Sequence, residues 1–205
     1  MTQNSPTVFV IDDDQLVRES IAWLLRSVNL QAVLFSNGDE FLGKFNPELP
    51  GCLIVDLRMP GTSGLALIEY LATQPVRPPA VVITAYGTVP SATRAMRAGA
   101  VNILEKPFDD QELLDAVQEA IERDARERAA ASQRRMALER LARLTPRERE
   151  VLNLMIQGRP NKTMARELNV SKKSIEFHRA NVMRKLEVDN FAELMKLTLP
   201  ALPLN

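Results

Sequence analysis

Five side chains in this sequence are of types that together can handle a phosphoryl group: Asp12, Asp13, Asp56, Thr84 and Lys106. Each stands where a short apolar run ends. Thr7-Val-Phe-Val-Ile11 runs into Asp12-Asp13-Asp14, and Cys52-Leu-Ile-Val55 runs into Asp56. Ala80-Val-Val-Ile83 ends on Thr84, and Val101-Asn-Ile-Leu-Glu105 ends on Lys106, with Pro107 directly after. Three carboxylates converging on one crevice repel unless a cation sits among them. A hard divalent ion with oxygen ligands, most simply Mg²⁺, meets that need and can bridge to phosphoryl oxygens. The hydroxyl and the ammonium complete a site able to hold a phosphoryl group on an aspartate. Singly, each residue has a plainer reading: acids cap helices, Asp56 could close a strand, and Lys106 could be solvated. Five of them at successive strand ends favour one shared site.

The elements that position them follow from periodicity. Apolar runs of strand length bounded by turn residues suit strands buried on both faces of a parallel sheet. Such runs occur at 7–11, 31–36, 52–56, 80–84 and 101–106. Between them lie helical patterns: from Gln15, with Val17, Ile21, Leu24, Leu25 and Val28 on one face, then through Phe45, 64–73 and 88–98. A last helix starts near Asp109-Asp110. Five strand–helix alternations predict a doubly wound α/β sheet, and in such sheets the chemistry sits beyond the carboxyl ends of the strands.

The totals narrow the class. A chain of 205 residues, 45% hydrophobic and 25% charged, is an ordinary globular composition. No apolar run approaches the ~18 residues of a membrane span, and Met1–Thr7 lacks a signal-peptide pattern, so a cytoplasmic protein without membrane association is expected. Cys52 is the single cysteine, which excludes an internal disulfide and reads as a small buried hydrophobe. The zero net charge hides a split: residues 1–122 hold 8 basic and 16 acidic side chains, residues 123–205 hold 18 and 10. That asymmetry predicts two domains, the second able to meet a polyanion.

From Phe108 to Thr145 there is no Gly or Pro, and 123–143 is rich in Ala, Arg and Glu. This predicts an exposed helical linker continuing the fifth helix. Leu144-Thr145-Pro146-Arg-Glu148 is a helix start with a capping box and Pro at the first helical position. Helices follow at 162–168, 171–186 and 191–199, the first two joined by the turn Asn169-Val-Ser171. A short helix, a brief turn and a basic second helix form a helix-turn-helix pattern. Lys172, Lys173, Arg179, Arg184 and Lys185 suit phosphate contacts, and Glu176, Phe177 and Ala180 are candidates to set base preference. The only histidine, His178, cannot build a metal site alone.

Residues 7–122 resemble the receiver domain of two-component response regulators. The acidic pair after the first strand, Asp56-Leu-Arg-Met-Pro-Gly61, Thr84-Ala85 and Glu105-Lys-Pro-Phe108 carry the match. The resemblance implies that Asp56 is the phosphoacceptor. It implies that Asp13, Asp56 and the Arg58 backbone carbonyl bind Mg²⁺ directly and Asp12 largely through water. Thr84 and Lys106 would read the phosphoryl group, and Lys106-Pro107 would be cis. The sequence departs from the family at Ile103, where the switch usually places an aromatic ring, which leaves Thr84 and Tyr86 as the candidates to carry the signal.

Residues 144–205 resemble the DNA-binding domain of the NarL/FixJ (LuxR-type) family, through Leu144-Thr-Pro-Arg-Glu148, Asn161-Lys162 and Ile175-x-x-His178-x-x-x-Val182-x-x-Lys185-Leu186. Glu176 departs from it, being acidic where a basic residue is usual. The expected organisation is therefore a receiver at 1–122, a linker at 123–143 and a DNA-binding domain at 144–205. By resemblance the chain is a transcription regulator rather than an enzyme. A sensor histidine kinase would phosphorylate it, and it would then form a homodimer on double-stranded promoter DNA and contact RNA polymerase. Two other readings compete. One is an aspartate-nucleophile phosphatase of the haloacid dehalogenase type, with Asp12 as nucleophile. The other is a DNA binder that works without phosphorylation.

Overall fold

The computed structural model describes residues 5–85 and 88–199, so Tyr86 lies outside the described residues. The chain divides into two compact units, parting after Glu127.

In the first unit, five parallel strands alternate with helices: β1 (Thr7–Ile11), β2 (Gln31–Phe35), β3 (Gly51–Asp56), β4 (Ala80–Thr84) and β5 (Ala100–Glu105). The helices are α1 (Gln15–Ser27), α2 (Gly38–Lys44), α3 (Gly64–Ala72), α4 (Val89–Arg97) and α5 (Asp110–Ala142). The sheet order is β2-β1-β3-β4-β5, so the connections change direction between β1 and β3. A crevice opens beyond the carboxyl ends of the strands at such a switch point. The three central strands are buried along their whole length. This is why they read as continuous apolar runs rather than alternating ones. On one face of the sheet Phe9, Leu53 and Val82 join Phe41, Leu67 and Ile68; on the other, Val8, Ile54 and Val81 join Ile21, Leu25, Leu113 and Val117.

Some expectations shift by a residue or two. Val28 is half-exposed, because α1 ends at Ser27 and Val28 is its C-cap. The last strand ends at Glu105, one residue before Lys106, whose N–H donates to the Thr84 carbonyl at 2.8 Å. β2 is an edge strand with only Phe35 buried.

The segment 123–143, expected as an exposed helical linker continuing the fifth helix, lies within α5 as far as Ala142, and most of it is exposed. Asp124 is buried and accepts a hydrogen bond from the Gly51 N–H at 2.9 Å, which ties α5 to the start of β3. Further along, Ala137 is buried and Leu141 packs in the core of the second unit. A buried carboxylate fastens the first end of the stretch and an apolar side chain the second, although its average composition is polar.

The second unit is all helical: the far end of α5, then α6 (Pro146–Ile156), α7 (Asn161–Glu167), α8 (Lys172–Leu186) and α9 (Phe191–Thr198). The capping box is present, with the Thr145 hydroxyl accepting from the Glu148 N–H and the Glu148 carboxylate accepting from the Thr145 N–H. Asn169 takes a left-handed conformation (φ 53°) in the turn between α7 and α8, which Asn tolerates better than most residues. Leu152, Met155, Met164, Ile175, Val182 and Leu186 fill the core. Among the described residues no helix is long and apolar enough to cross a membrane.

Candidate functional site

The carboxyl ends of β1, β3, β4 and β5 deliver their polar residues to one place. Asp12 follows β1 and is fully buried, Asp56 closes β3, and Thr84 closes β4 at 1% exposure. Lys106 reaches across from the end of β5. Its ammonium donates to Asp12 Oδ2 at 2.6 Å and to Asp56 Oδ2 at 2.7 Å. The other oxygens of both carboxylates are held from the backbone. The Asp14 N–H donates to Asp12 Oδ1 at 2.9 Å, and the Arg58 N–H to Asp56 Oδ1 at 3.0 Å. Burial alone would lower the Lys106 pKa, but the hydrogen bonds and charges of Asp12 and Asp56 outweigh it and raise the value above 10.5. Lys106-Pro107 is cis.

Asp12, Asp13 and Asp56 offer ligand oxygens within 4.8 Å of one another. Asp13 is exposed while the other two are buried, so one side of the cluster opens to solvent. An all-oxygen set with an open side fits Mg²⁺, which keeps several waters and takes only one or two carboxylates directly. The loop after Asp56 is also packed for close approach. A Cβ at Gly64 would overlap the Asp56 carbonyl oxygen, so only glycine lets α3 start there. The Thr62 hydroxyl donates to Asp39 at 2.7 Å and fastens the loop to the start of α2. Neither contact has a periodicity in the sequence that announces it.

Asp14, two residues beyond Asp12, is the N-cap of α1 and accepts from the Leu16 N–H at 2.8 Å. Ile103 is partly buried and packs on the Phe9 side of the sheet.

In the second unit α8 buries Ile175, Val182 and Leu186. Lys173, Phe177, Ala180 and Arg184, at steps of four, three and four, are exposed, as Glu176 and Lys172 are on one flank. Glu176 lies 3.8 Å from the Lys172 ammonium, so its charge is partly offset within the helix. Arg179 is half-buried. Lys185 has a partner within the unit: its ammonium donates to the buried Glu148 carboxylate at 2.7 Å. A buried carboxylate requires a counter-charge, so Lys185 ties α8 to α6. Arg147 makes a similar tie, donating to the Leu168 carbonyl at the end of α7 at 2.6 Å. The sequence showed Glu148 as a capping residue but carried no sign of its partner 37 residues away.

Comparison with known proteins agrees with both halves. Residues 8–118 match the response regulator receiver domain, and residues 142–198 match the bacterial regulatory proteins of the luxR family. The transcriptional regulatory protein FixJ of Azorhizobium caulinodans is 40% identical over 194 residues, covering 95% of this chain and 92% of that protein. The solved structure of the response regulator StyR is 42% identical with a TM-score of 0.84, covering 95% of this chain and 98% of that one. Full-length FixJ from B. japonicum is 38% identical with a TM-score of 0.58, covering 99% of this chain and all of the other. The chain therefore belongs to the response regulators that join a phosphorylation-receiver domain to a LuxR-type DNA-binding domain and act in two-component transcriptional control.

Proposed function

We propose that Asp56 is the phosphoacceptor and that its phosphorylation by a sensor histidine kinase controls dimerisation and promoter binding through α8. The observation that carries this reading is the Lys106 ammonium lodged between Asp12 and Asp56, with Asp13 beside them. Asp12, Asp13, Asp56 and the Arg58 carbonyl would hold Mg²⁺, which when bound neutralises charge on the transferring phosphoryl group. An oxygen of Asp56 attacks phosphorus as the phosphorus–nitrogen bond of the donor phosphohistidine breaks, and the acyl phosphate forms. Lys106 then exchanges its bond to Asp56 Oδ2 for one to a phosphoryl oxygen. The Thr84 hydroxyl donates to another. Both movements draw the ends of β4 and β5 toward the phosphoryl group and alter the face formed by α4 and β5, through which two copies pair. Paired copies place two α8 helices in successive major grooves. Lys172, Lys173, Arg179 and Arg184 meet phosphates while Glu176, Phe177 and Ala180 meet base edges, and RNA polymerase is engaged from there. In this reading the receiver occupies 1–122 and the DNA-binding domain 144–205, with the stretch 123–143 joining them.

The test is direct. The purified chain is incubated with Mg²⁺ and a small phosphodonor, the phosphate is located by peptide mapping under acidic conditions, and mass is followed by light scattering. An acyl phosphate on Asp56, absent in Asp56→Asn and accompanied by dimerisation, is expected. Phosphate on Asp12 with ester turnover would support the phosphatase instead. No phosphate, with DNA binding intact, would support regulation without phosphorylation.

A further inference from the structure

The C-terminal end of α8 is held from outside the helix-turn-helix. The helix stops at Leu186, and Glu187 takes a left-handed conformation (φ 56°) as its C-cap. Two arginines converge there, Arg140 from the last turn of α5 and Arg143 from just beyond its end. Arg140 donates from Nη1 to the Leu186 carbonyl at 3.1 Å, and its Nη2 lies 3.2 Å from Oε2 of Glu187. Arg143 donates from Nη1 to Oε1 of Glu187 at 2.7 Å. Both carboxylate oxygens are thus gripped, and a terminal carbonyl of α8 that has no partner within the helix is satisfied. Cations at this end also complement the helix dipole. The Arg143 hydrogen bond and the Arg140 charge hold the Glu187 carboxyl below its ordinary range. Leu141 packs the same stretch of α5 on the core beneath, and Ala137 is buried one turn before it.

We propose that Arg140 and Arg143 are positioning residues for DNA recognition. Through Glu187 and the Leu186 carbonyl they set the angle at which α8 presents Lys173, Phe177, Ala180 and Arg184. The inference rests on the reading of α8 as the helix that meets DNA, and it makes the end of α5 part of the recognition device. A basic side chain near α8 could otherwise act by touching phosphate, and the two roles predict opposite signs at Glu187. Were the arginines phosphate contacts, Glu187 would compete with DNA, and Glu187→Gln would tighten binding. As a clamp, the same substitution weakens binding even though it removes a negative charge from a DNA-binding unit.

The experiment uses the full chain. Wild-type protein, with Mg²⁺ and a small phosphodonor, selects duplexes from a random library. Affinity for the selected duplex is then measured by fluorescence anisotropy, corrected for active fraction, at several salt concentrations. Glu187→Gln and Arg140→Ala are expected to weaken binding by about two- to fivefold, the scale of a half-exposed ion pair. The slope of log affinity against log salt stays at the wild-type value, because no phosphate contact is lost. The swapped pair Arg143→Glu with Glu187→Arg recovers part of what each single change loses. Tighter binding by Glu187→Gln, or a salt slope reduced by about one in Arg140→Ala or Arg143→Ala, overturns the proposal. Unchanged affinity per active molecule with a lowered melting temperature also overturns it, leaving a purely structural contact. A wild-type chain that binds no duplex would instead reject the reading of α8.

Discussion

Replacing Lys106 with Met keeps the length and apolar stem of the side chain and removes only the ammonium. Two carboxylates then face each other without a cation. Their side chains are 1% and 11% exposed, against 19% for Lys106. Removing one partner of a buried ion pair costs about 3–5 kcal/mol, and the partial exposure of Lys106 puts this site at the low end, about 3 kcal/mol. With an unfolding entropy of ~2 cal/mol/K per residue, the first unit should melt roughly 10 °C lower. The deficit should depend on Mg²⁺. A divalent ion meets less repulsion once the ammonium is gone, so it binds the variant more tightly and stabilises it more. Calorimetry of the whole chain, in EDTA and in saturating Mg²⁺, separates the Mg²⁺-sensitive transition from that of the second unit. The gap between wild type and Lys106→Met is expected to shrink by at least half on adding Mg²⁺. A variant as stable as wild type in EDTA, or a gap indifferent to Mg²⁺, would show that Lys106 does not balance these carboxylates.

Three further outcomes are expected. A fragment of residues 128–205 should melt roughly 10 °C above one of residues 144–205, since the shorter lacks the partly buried Leu141 and the buried Ala137, which together contribute about 2 kcal/mol; equal melting temperatures would refute the packing of α5 on that core. Burial raises the Glu148 carboxyl, but the Lys185 ammonium and the Thr145 N–H and hydroxyl outweigh this and lower its pKa from 4.5. Its contribution is therefore present above pH 4.5 and lost as pH falls through the lower folded value, so Glu148→Gln should melt below wild type at neutral pH and the gap should close as the pH is taken below that folded value. Burial, with the Asp124 charge adding to it, pushes the Cys52 thiol up to about 12; a thiol reagent at mildly alkaline pH should label the unfolded chain fully and the native chain hardly at all.

Much of the fold was legible because it is written in near neighbours. A strand buried on both faces leaves a continuous apolar run, as at Cys52–Val55, and a capping box leaves its spacing, as at Thr145 and Glu148. The parallel sheet then follows from the alternation, and the convergence of Asp12, Asp56, Thr84 and Lys106 follows from the parallel sheet, since every strand ends on the same edge. Legibility weakened where an element changes surroundings along its length. The composition of 123–143 is polar on average, yet Asp124 and Ala137 are buried within it, and no window average can separate them.

By itself, then, the sequence determined which side chains reach the carboxyl edge of the sheet and which face of α8 is turned from its core. The first depends on continuous apolar runs and the second on a period of 3.6 residues, and any short stretch carries either. Only the tertiary structure decided who pairs with whom. Lys185 went to Glu148, Asp124 to the Gly51 N–H, and Arg140 and Arg143 to the end of α8. Those partners lie dozens of residues apart. Whether their polar atoms come within about 3 Å depends on the angles and rotations at which whole helices pack, which no local pattern in the chain specifies.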